Sequence, residues 1–164
     1  MSQTGQKQKD YILSVLAKNQ SGVLLRIAGL FSRRCYNIKS IVAAQTEDEQ
    51  YSEMIIVVQG SEREVRQVDK QLSKLYEIER VTVLDRDEAI VREHLLLKVS
   101  RTKENSERLV EIASVFHANI LNVSDKDMMV ELTGDAQTLN SFAELYKPYG
   151  IQKILRTGAM AMEK

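Results

Sequence analysis

The sequence has little of the chemistry on which most enzymes depend. It contains one cysteine, Cys35, and two histidines, His94 and His117, so an internal disulfide or a cysteine-based zinc site cannot form. Tryptophan is absent, and 23 Lys and Arg residues balance 23 Asp and Glu residues. Without net charge, the chain lacks the positive field that holds proteins on nucleic acid or anionic membranes. These absences argue against metal or nucleophile–histidine catalysis, and against a nucleic-acid or membrane partner.

Long hydrophobic runs are also missing. No apolar run approaches the roughly 18 residues that would span a bilayer. Residues 1–10 are polar, without the apolar segment of a secretory signal, and we expect them to form a flexible tail. The single cysteine fits a reducing compartment, so the expected location is the cytoplasm. The chain is nevertheless 43% apolar, which is enough to build a folded core.

Hydrophobic periodicity predicts the order of elements in the first half. Alternating or short apolar runs indicate strands, and apolar residues at i, i+3 and i+4 indicate helices. The predicted elements are strand 11–17, helix 23–34, strand 36–46, strand 51–59, a helix with the capping-box residues Ser61 and Glu64, and strand 78–84. This β-α-β-β-α-β order is that of a ferredoxin-like unit, an antiparallel four-stranded sheet with two helices on one face.

The same order begins again after a polar stretch. The predicted elements are strand 92–100, helix 106–118, strand 119–124, strand 128–133, a helix beginning at Gly134 and Asp135 with the apolar stripe Leu139, Phe142 and Leu145, and strand 151–155. We therefore predict an α+β protein with two ferredoxin-like domains, 11–85 and 86–164. Residues 158–162 either dock on a partner or are disordered. Since such small cores gain by packing against a second copy, we expect a homodimer.

The loop before the first helix has the features of an anion site. Amide N–H groups at a helix N-terminus lack intrahelical partners and lie at the positive end of the dipole. Gly22 allows a carboxylate to approach the backbone closely, while Asn19 and Asn37 offer side-chain amides that donate and accept hydrogen bonds. These groups would suit a free amino acid. The same residues also fit an ordinary helix cap and turn, and their spacing leaves both interpretations open.

A longer motif carries a family resemblance. Residues 14–48 resemble the opening of the small regulatory subunit of acetolactate synthase (acetohydroxyacid synthase), which begins with an ACT domain. The family's Asn-x-x-Gly-hydrophobic-Leu loop and its Leu-Phe-Ser-x-Arg-x-Tyr-Asn-Ile helix end are present as Asn19, Gly22, Val23, Leu24, Leu30, Phe31, Ser32, Arg34, Tyr36, Asn37 and Ile38. Residues 131–134 and 156–158 are similar to shorter motifs of the family's C-terminal domain.

The resemblance implies a non-catalytic subunit that activates a separate large subunit. That large subunit carries thiamine diphosphate, magnesium and FAD and joins pyruvate to pyruvate or 2-oxobutyrate in branched-chain amino-acid synthesis. The resemblance also implies feedback inhibition by valine, bound between the ACT domains of two small subunits. On this basis the valine ligands would be Asn19, Gly22, Val23, Leu24, Asn37 and Ile38, with no cofactor or metal in this chain.

Cys35 departs from the family pattern, which usually has glycine there. Glycine suits the left-handed position that follows many helices. A cysteine in that conformation costs about 1 kcal/mol, unless the helix ends differently here.

Two other functions fit parts of the sequence. A free-standing ACT-domain amino-acid sensor, serving another enzyme or a transcription system, would have the same loop and differ only in its partner. An RNA-binding ferredoxin-like domain would need exposed aromatic residues on its central strands, where this sequence has aliphatic residues.

Overall fold

The computed structural model describes residues 9–164, which form two compact units. Unit 1 consists of the described residues up to Val91 together with Gly158–Lys164, and unit 2 is Arg92–Thr157. These boundaries differ from the predicted domains 11–85 and 86–164, because the final segment of the chain belongs to unit 1. Of the predicted tail, residues 9 and 10 lie in the first strand, and residues 1–8 fall outside the described residues.

Unit 1 has the predicted β-α-β-β-α-β order. Its elements are β1 (Lys9–Lys18), α1 (Val23–Arg33), β2 (Asn37–Gln45), β3 (Tyr51–Gly60), α2 (Glu62–Leu72) and β4 (Ile78–Leu84). The sheet order is β2-β3-β1-β4, and each neighbouring pair is antiparallel. The predicted ferredoxin-like arrangement is confirmed, and β2 is an edge strand.

Periodic burial explains why unit 1 folds this way. Every second residue of β1 and β3 faces the helices, as a strand requires, and meets apolar residues at helical spacing on α1 and α2. This core contains Leu13, Val15, Ala17, Val23, Ile27, Leu30, Phe31, Met54, Ile56, Val58, Val65, Val68 and Leu72. The predicted capping box of α2 is confirmed: the Ser61 N–H donates to Glu64 Oε2 at 2.6 Å and the Glu64 N–H to Ser61 Oγ at 3.4 Å.

Unit 2 repeats the topology. Its elements are the larger part of β5 (Ala89–Ser100), then α3 (Ser106–Val115), β6 (Asn119–Val123), β7 (Asp127–Gly134), α4 (Ala136–Tyr146), a 3₁₀ turn (Lys147–Tyr149) and β8 (Ile151–Arg156). The sheet order is β6-β7-β5-β8.

The prediction that Leu145 belongs to the core of unit 2 is wrong. Leu145 is 45% exposed, whereas its neighbour Tyr146 is fully buried. The Tyr146 hydroxyl donates to the Leu109 carbonyl at 2.8 Å, which satisfies its polar group inside the core. The predicted start of α4 is confirmed, since the Asp135 side chain accepts from the Thr138 N–H at 2.7 Å.

A final strand, β9 (Met160–Glu163), belongs to unit 1 and pairs with β5. It completes a second core on the sheet face opposite the helices. This core contains Ile12, Ile55, Val57, Leu84, Ala89 and Ala159, each at most 7% exposed. Ala159 and Ala161 therefore pack on their own chain, and the predicted disorder of residues 158–162 is wrong. Met160 and Met162 are exposed, and docking of this segment on a partner stays a prediction.

Candidate functional site

The loop between β1 and α1 leaves the start of the helix open. Gly22 is the N-cap residue and has φ +87°, a left-handed conformation that favours glycine, and no side chain caps the helix. Within residues 9–164, the backbone N–H groups of Gly22, Leu24 and Leu25 make no hydrogen bond. These donors lie at the positive end of the helix dipole, so an anionic group is stabilised there.

Asn19 is held beside this loop by the β2–β3 turn. Its side-chain Nδ2 donates to the Glu49 carbonyl at 3.1 Å, and its backbone N–H donates to the Gln50 carbonyl at 2.7 Å. Its Oδ1 accepts no hydrogen bond within the described chain. Asn19 also lines a depression of about 570 Å³ with residues of the β2–β3 turn. Asn19 therefore does not cap α1. The supporting role of Glu49 and Gln50 was missed from the sequence, because backbone carbonyls carry no residue-type signal.

The two predicted apolar residues at the start of α1 differ in exposure. Val23 is only 4% exposed and packs in the core, so its side chain faces away from the loop. Leu24 is 49% exposed and Leu25 76% exposed. The apolar surface beside the open N–H groups therefore comes from the two leucines.

Asn37 and Ile38 lie at the other end of the sheet. Asn37 pairs with Gln59 on β3, whereas Asn19 bonds to Gln50. Gln50 and Gln59 are nine residues apart, and an extended chain rises about 3.4 Å per residue, so the two ends are about 30 Å apart. Asn37 is exposed, and its side chain makes no hydrogen bond within residues 9–164, while Ile38 is half-buried against the core. One chain does not bring the six predicted ligands together.

Cys35 has the predicted left-handed conformation, with φ +56°. Its N–H donates to the Ser32 carbonyl and the Tyr36 N–H to the Phe31 carbonyl, both at 3.1 Å. These two bonds form a Schellman helix end. The prediction of a strained cysteine is confirmed, and the alternative of a different helix end is wrong.

The corresponding asparagines of unit 2 have partners within their own unit. Asn105 Oδ1 accepts from the Thr102 N–H at 2.8 Å, and Thr102 Oγ1 accepts from the Asn105 N–H at 3.3 Å. Asn119, at the start of β6, donates from Nδ2 to Glu131 Oε1 at 3.1 Å. No side chain caps α3, and the N–H groups of Ser106, Glu107 and Arg108 make no hydrogen bond within residues 9–164. Unit 2 therefore differs from unit 1 in its asparagines, which are bonded, and not in the start of its helix.

The titratable clusters of the described chain do not suggest another site. In residues 9–164, no group of three or more His, Cys, Asp or Glu side chains is arranged to hold a metal ion. His94 Nδ1 lies 3.1 Å from the Thr133 hydroxyl, and His94 Nε2 lies 3.5 Å from Glu131 Oε2. Across the same residues, no helix combines the length and the apolar character needed to cross a membrane.

Comparison with known proteins identifies the family. A family model described as the small subunit of acetolactate synthase matches residues 92–164, and one described as an AHAS small subunit-like ACT domain matches residues 13–80. A probable acetolactate synthase small subunit of Archaeoglobus fulgidus is 40% identical over 152 residues, which cover 93% of this chain and 95% of that protein. The chain belongs to the acetolactate synthase small-subunit family.

Other relatives agree with this assignment. The acetolactate synthase small subunit of Mycobacterium bovis is 34% identical over 95% of this chain and 93% of its own. The crystal structure of the acetolactate synthase small subunit from Thermotoga maritima superposes with a TM-score of 0.89 at 31% identity, covering 95% of this chain and 98% of that one. These comparisons confirm the predicted family and the predicted fold class. They also confirm that the chain is a regulatory rather than a catalytic subunit.

Proposed function

We propose that this chain activates the catalytic large subunit of acetolactate synthase and makes that subunit sensitive to inhibition by valine. The partner would carry thiamine diphosphate, magnesium and FAD and would join pyruvate to pyruvate or 2-oxobutyrate. Membership of the small-subunit family supports the partner. The open N-terminus of α1, together with the unpaired Oδ1 of Asn19 beside it, is the observation that carries the proposal for the effector.

The chemistry of the loop matches a small zwitterion. The valine carboxylate accepts hydrogen bonds from the unpaired N–H groups of Gly22, Leu24 and Leu25. Its ammonium donates to the free Oδ1 of Asn19, and its isopropyl group packs on the exposed Leu24 side chain. A neutral protein can bind such a ligand because the site relies on local dipoles rather than on net charge.

A second copy of the chain supplies the asparagine that one copy lacks at this end. The outer edge of β2 has no neighbouring strand within the described chain, and exposed edges pair readily with other strands. Antiparallel pairing of β2 with its copy about a two-fold axis near Ile41 sets Asn37 of the second copy opposite Gln45. Gln45 pairs with Ser52, at the end of the sheet that carries Asn19. The homodimer therefore completes the site in both copies.

Valine regulates in this proposal by differential binding. A ligand that bridges two copies binds more tightly to the arrangement in which both sets of groups are in reach, and so increases the population of that arrangement. In that arrangement the dimer holds the large subunit in a less active form. Linkage then requires that conditions favouring the active complex weaken valine binding by the same factor.

Reconstitution with the large subunit tests the proposal. We expect the chain to raise the carboligation rate, and valine to lower it. Asn37→Ala removes a hydrogen bond to a charged ligand, which is worth about 1.5–3 kcal/mol, so the half-inhibitory valine concentration rises roughly 10- to 100-fold while activation persists. Asn119→Ala is the matched control, since Asn119 begins the equivalent strand but is bonded to Glu131, and we expect unchanged inhibition.

Two results would contradict the proposal. If the large subunit neither binds the chain nor changes its rate, the assignment of the partner fails. If Asn37→Ala and Asn119→Ala respond to valine alike, the effector site lies elsewhere.

A further inference from the structure

The Arg156-Thr157-Gly158 motif marks the point where the chain passes from unit 2 to unit 1. Within unit 1, Gly158 lies against β2. A Cβ on Gly158 would lie 2.7 Å from Ser40 Cβ and 3.0 Å from Val42 Cγ2, closer than side chains tolerate. Its φ is not left-handed. Glycine is therefore required here by close packing rather than by backbone conformation.

Gly158 begins a segment, residues 158–163, that we term the C-terminal strap. Ala159, the next residue, is 5% exposed in the second core of unit 1. At its other end the strap is held by Lys164, whose N–H donates to the Glu88 carbonyl at 3.0 Å and whose Nζ donates to the Asp87 carbonyl at 2.7 Å. The strap is thus fixed at both ends and cannot shift away from β2 without breaking these contacts.

The strap contacts β2 next to an irregularity in that strand. The pairing of β2 with β3 shifts by one residue between Ile38 and Ser40, which leaves Lys39 as the extra residue of a β-bulge. A bulge reverses which face the residues before it present, relative to the residues after it, and bulges commonly re-aim side chains at binding sites. Asn37 lies before the bulge, and Ser40 and Val42 lie after it, under the strap.

We propose that Gly158 and the C-terminal strap are positioning elements for the effector site. By packing on Ser40 and Val42, they hold the bulge in place and so set the direction in which Asn37 is presented to valine and to the second copy. The role in valine binding rests on the proposed function. The claim that the strap fixes the conformation of β2 does not depend on it.

Two substitutions test the inference, one that creates a clash and one that removes it. Gly158→Ala puts a methyl group into Ser40, so β2 shifts, and the half-inhibitory valine concentration rises roughly tenfold, within the range typical of allosteric coupling, while activation of the large subunit is retained. Ser40→Gly removes the two closest atoms and leaves only Val42 Cγ2 at 3.0 Å, a contact that a shift of a few tenths of an ångström relieves. The double variant Gly158→Ala with Ser40→Gly therefore regains the valine response. Gly29→Ala is the control, because its Cβ would meet only Arg33 Nη1 at 3.6 Å, and we expect no change.

Amide hydrogen exchange provides a readout that does not depend on valine. We expect Gly158→Ala to speed exchange at residues 37–42, and Ser40→Gly to restore protection in the double variant. Unchanged exchange and an unchanged valine response in Gly158→Ala overturn the inference, as does a double variant that fails to recover. If Gly158→Ala does not fold, recovery of folding in the double variant supports the contact, and failure of both overturns it. A wild-type chain without a valine response refutes the proposed function, and the exchange result then decides the inference by itself.

Discussion

Unit 1 and unit 2 share more than a topology. Cys35 and His117 end the first helix of each unit in the same left-handed conformation, with φ +56° and +54°. An Asn-Ile pair follows two residues later, as Asn37-Ile38 and Asn119-Ile120, and the register of the next strand shifts just after the isoleucine in both units. The sequences differ around these positions, so the bulge itself forms from how the helix ends and the strand begins. In unit 1 the strap adds packing on Ser40 and Val42, the residues that follow the bulge.

The units differ in what satisfies their polar groups. The starts of α1 and α3 are alike, since neither has a side-chain cap. Asn19 Oδ1 and the side chain of Asn37 have no partner within residues 9–164, whereas Asn105 Oδ1 accepts from the Thr102 N–H and Asn119 donates to Glu131. An unsatisfied donor near the surface bonds to water in the absence of a ligand and can exchange that water for a carboxylate. The fold therefore supplies an open helix start in both units, and the asparagine side chains determine which unit has polar groups free to bind a ligand.

The largest effect expected from this difference concerns the left-handed glycines. Gly22→Ala and Gly150→Ala both place a Cβ at a positive φ, +87° and +82°, without a clash, and each costs about 1 kcal/mol of backbone strain. Only Gly22 begins the open helix. We expect Gly22→Ala to displace several N–H donors at once and to weaken valine inhibition roughly 100-fold, and Gly150→Ala to leave inhibition unchanged.

Rate measurements on the reconstituted complex at increasing valine concentration check this pair, with thermal melting of each variant to compare the strain. Equal loss of valine sensitivity in both variants would mean that general destabilisation, rather than the loop of unit 1, accounts for the effect.

A smaller effect concerns the core of unit 2. Burial raises the pKa of Tyr146 to about 12, so its neutral hydroxyl is retained in the folded state where an unfolded tyrosine would ionise. The contribution of this neutral hydroxyl to the free energy of unfolding is complete below pH ~10 and is lost as the pH rises from about 10 to 12. We expect Tyr146→Phe to lower the free energy of unfolding by about 1 kcal/mol at neutral pH, because the hydrogen bond to Leu109 is missing. The variant should also lack the decline in this free energy that Tyr146 causes between about pH 10 and 12.

Urea unfolding at neutral and at alkaline pH measures both effects. Tyr36→Phe is the control in unit 1, because the Tyr36 hydroxyl bonds to Gln67 at the exposed surface. An alkaline decline that persists unchanged in Tyr146→Phe would show that other groups cause it.

The smallest effect tests what the units have in common. Cys35→Gly and His117→Gly each remove a side chain from a residue with left-handed backbone, which relieves about 1–2 kcal/mol of strain. Each also makes the unfolded chain more flexible, which lowers the free energy of unfolding by about 0.4–1 kcal/mol. We expect a net gain of about 0.5 kcal/mol in the free energy of unfolding for both variants, measured by urea titration. A gain in only one variant would break the equivalence of the two helix ends.

Local patterns predicted the elements, but not the contacts between distant segments. The stripe Val65, Val68 and Leu72 and the capping box before it identified α2, since both signals lie within one helix. The strap had no such signal, because its small residues are ordered only by packing on strands far away in the sequence. Asn19 and Asn37 were grouped by their amide chemistry and then by the family motif. Their separation depends on the register of β1, β2 and β3, which neither argument contains.

The return of the strap to unit 1 has a consequence for the order of folding during synthesis. Domains commonly fold as units, with the N-terminal one first, as the chain leaves the ribosome. Unit 1 can form its helix-facing core in that way, but the core on its other face waits for Ala159, which is synthesised after all of unit 2. Unit 1, which carries the proposed effector site, therefore starts to fold first and completes its second core last. If the proposal holds, valine sensitivity arises only after residues 158–163 have emerged from the ribosome.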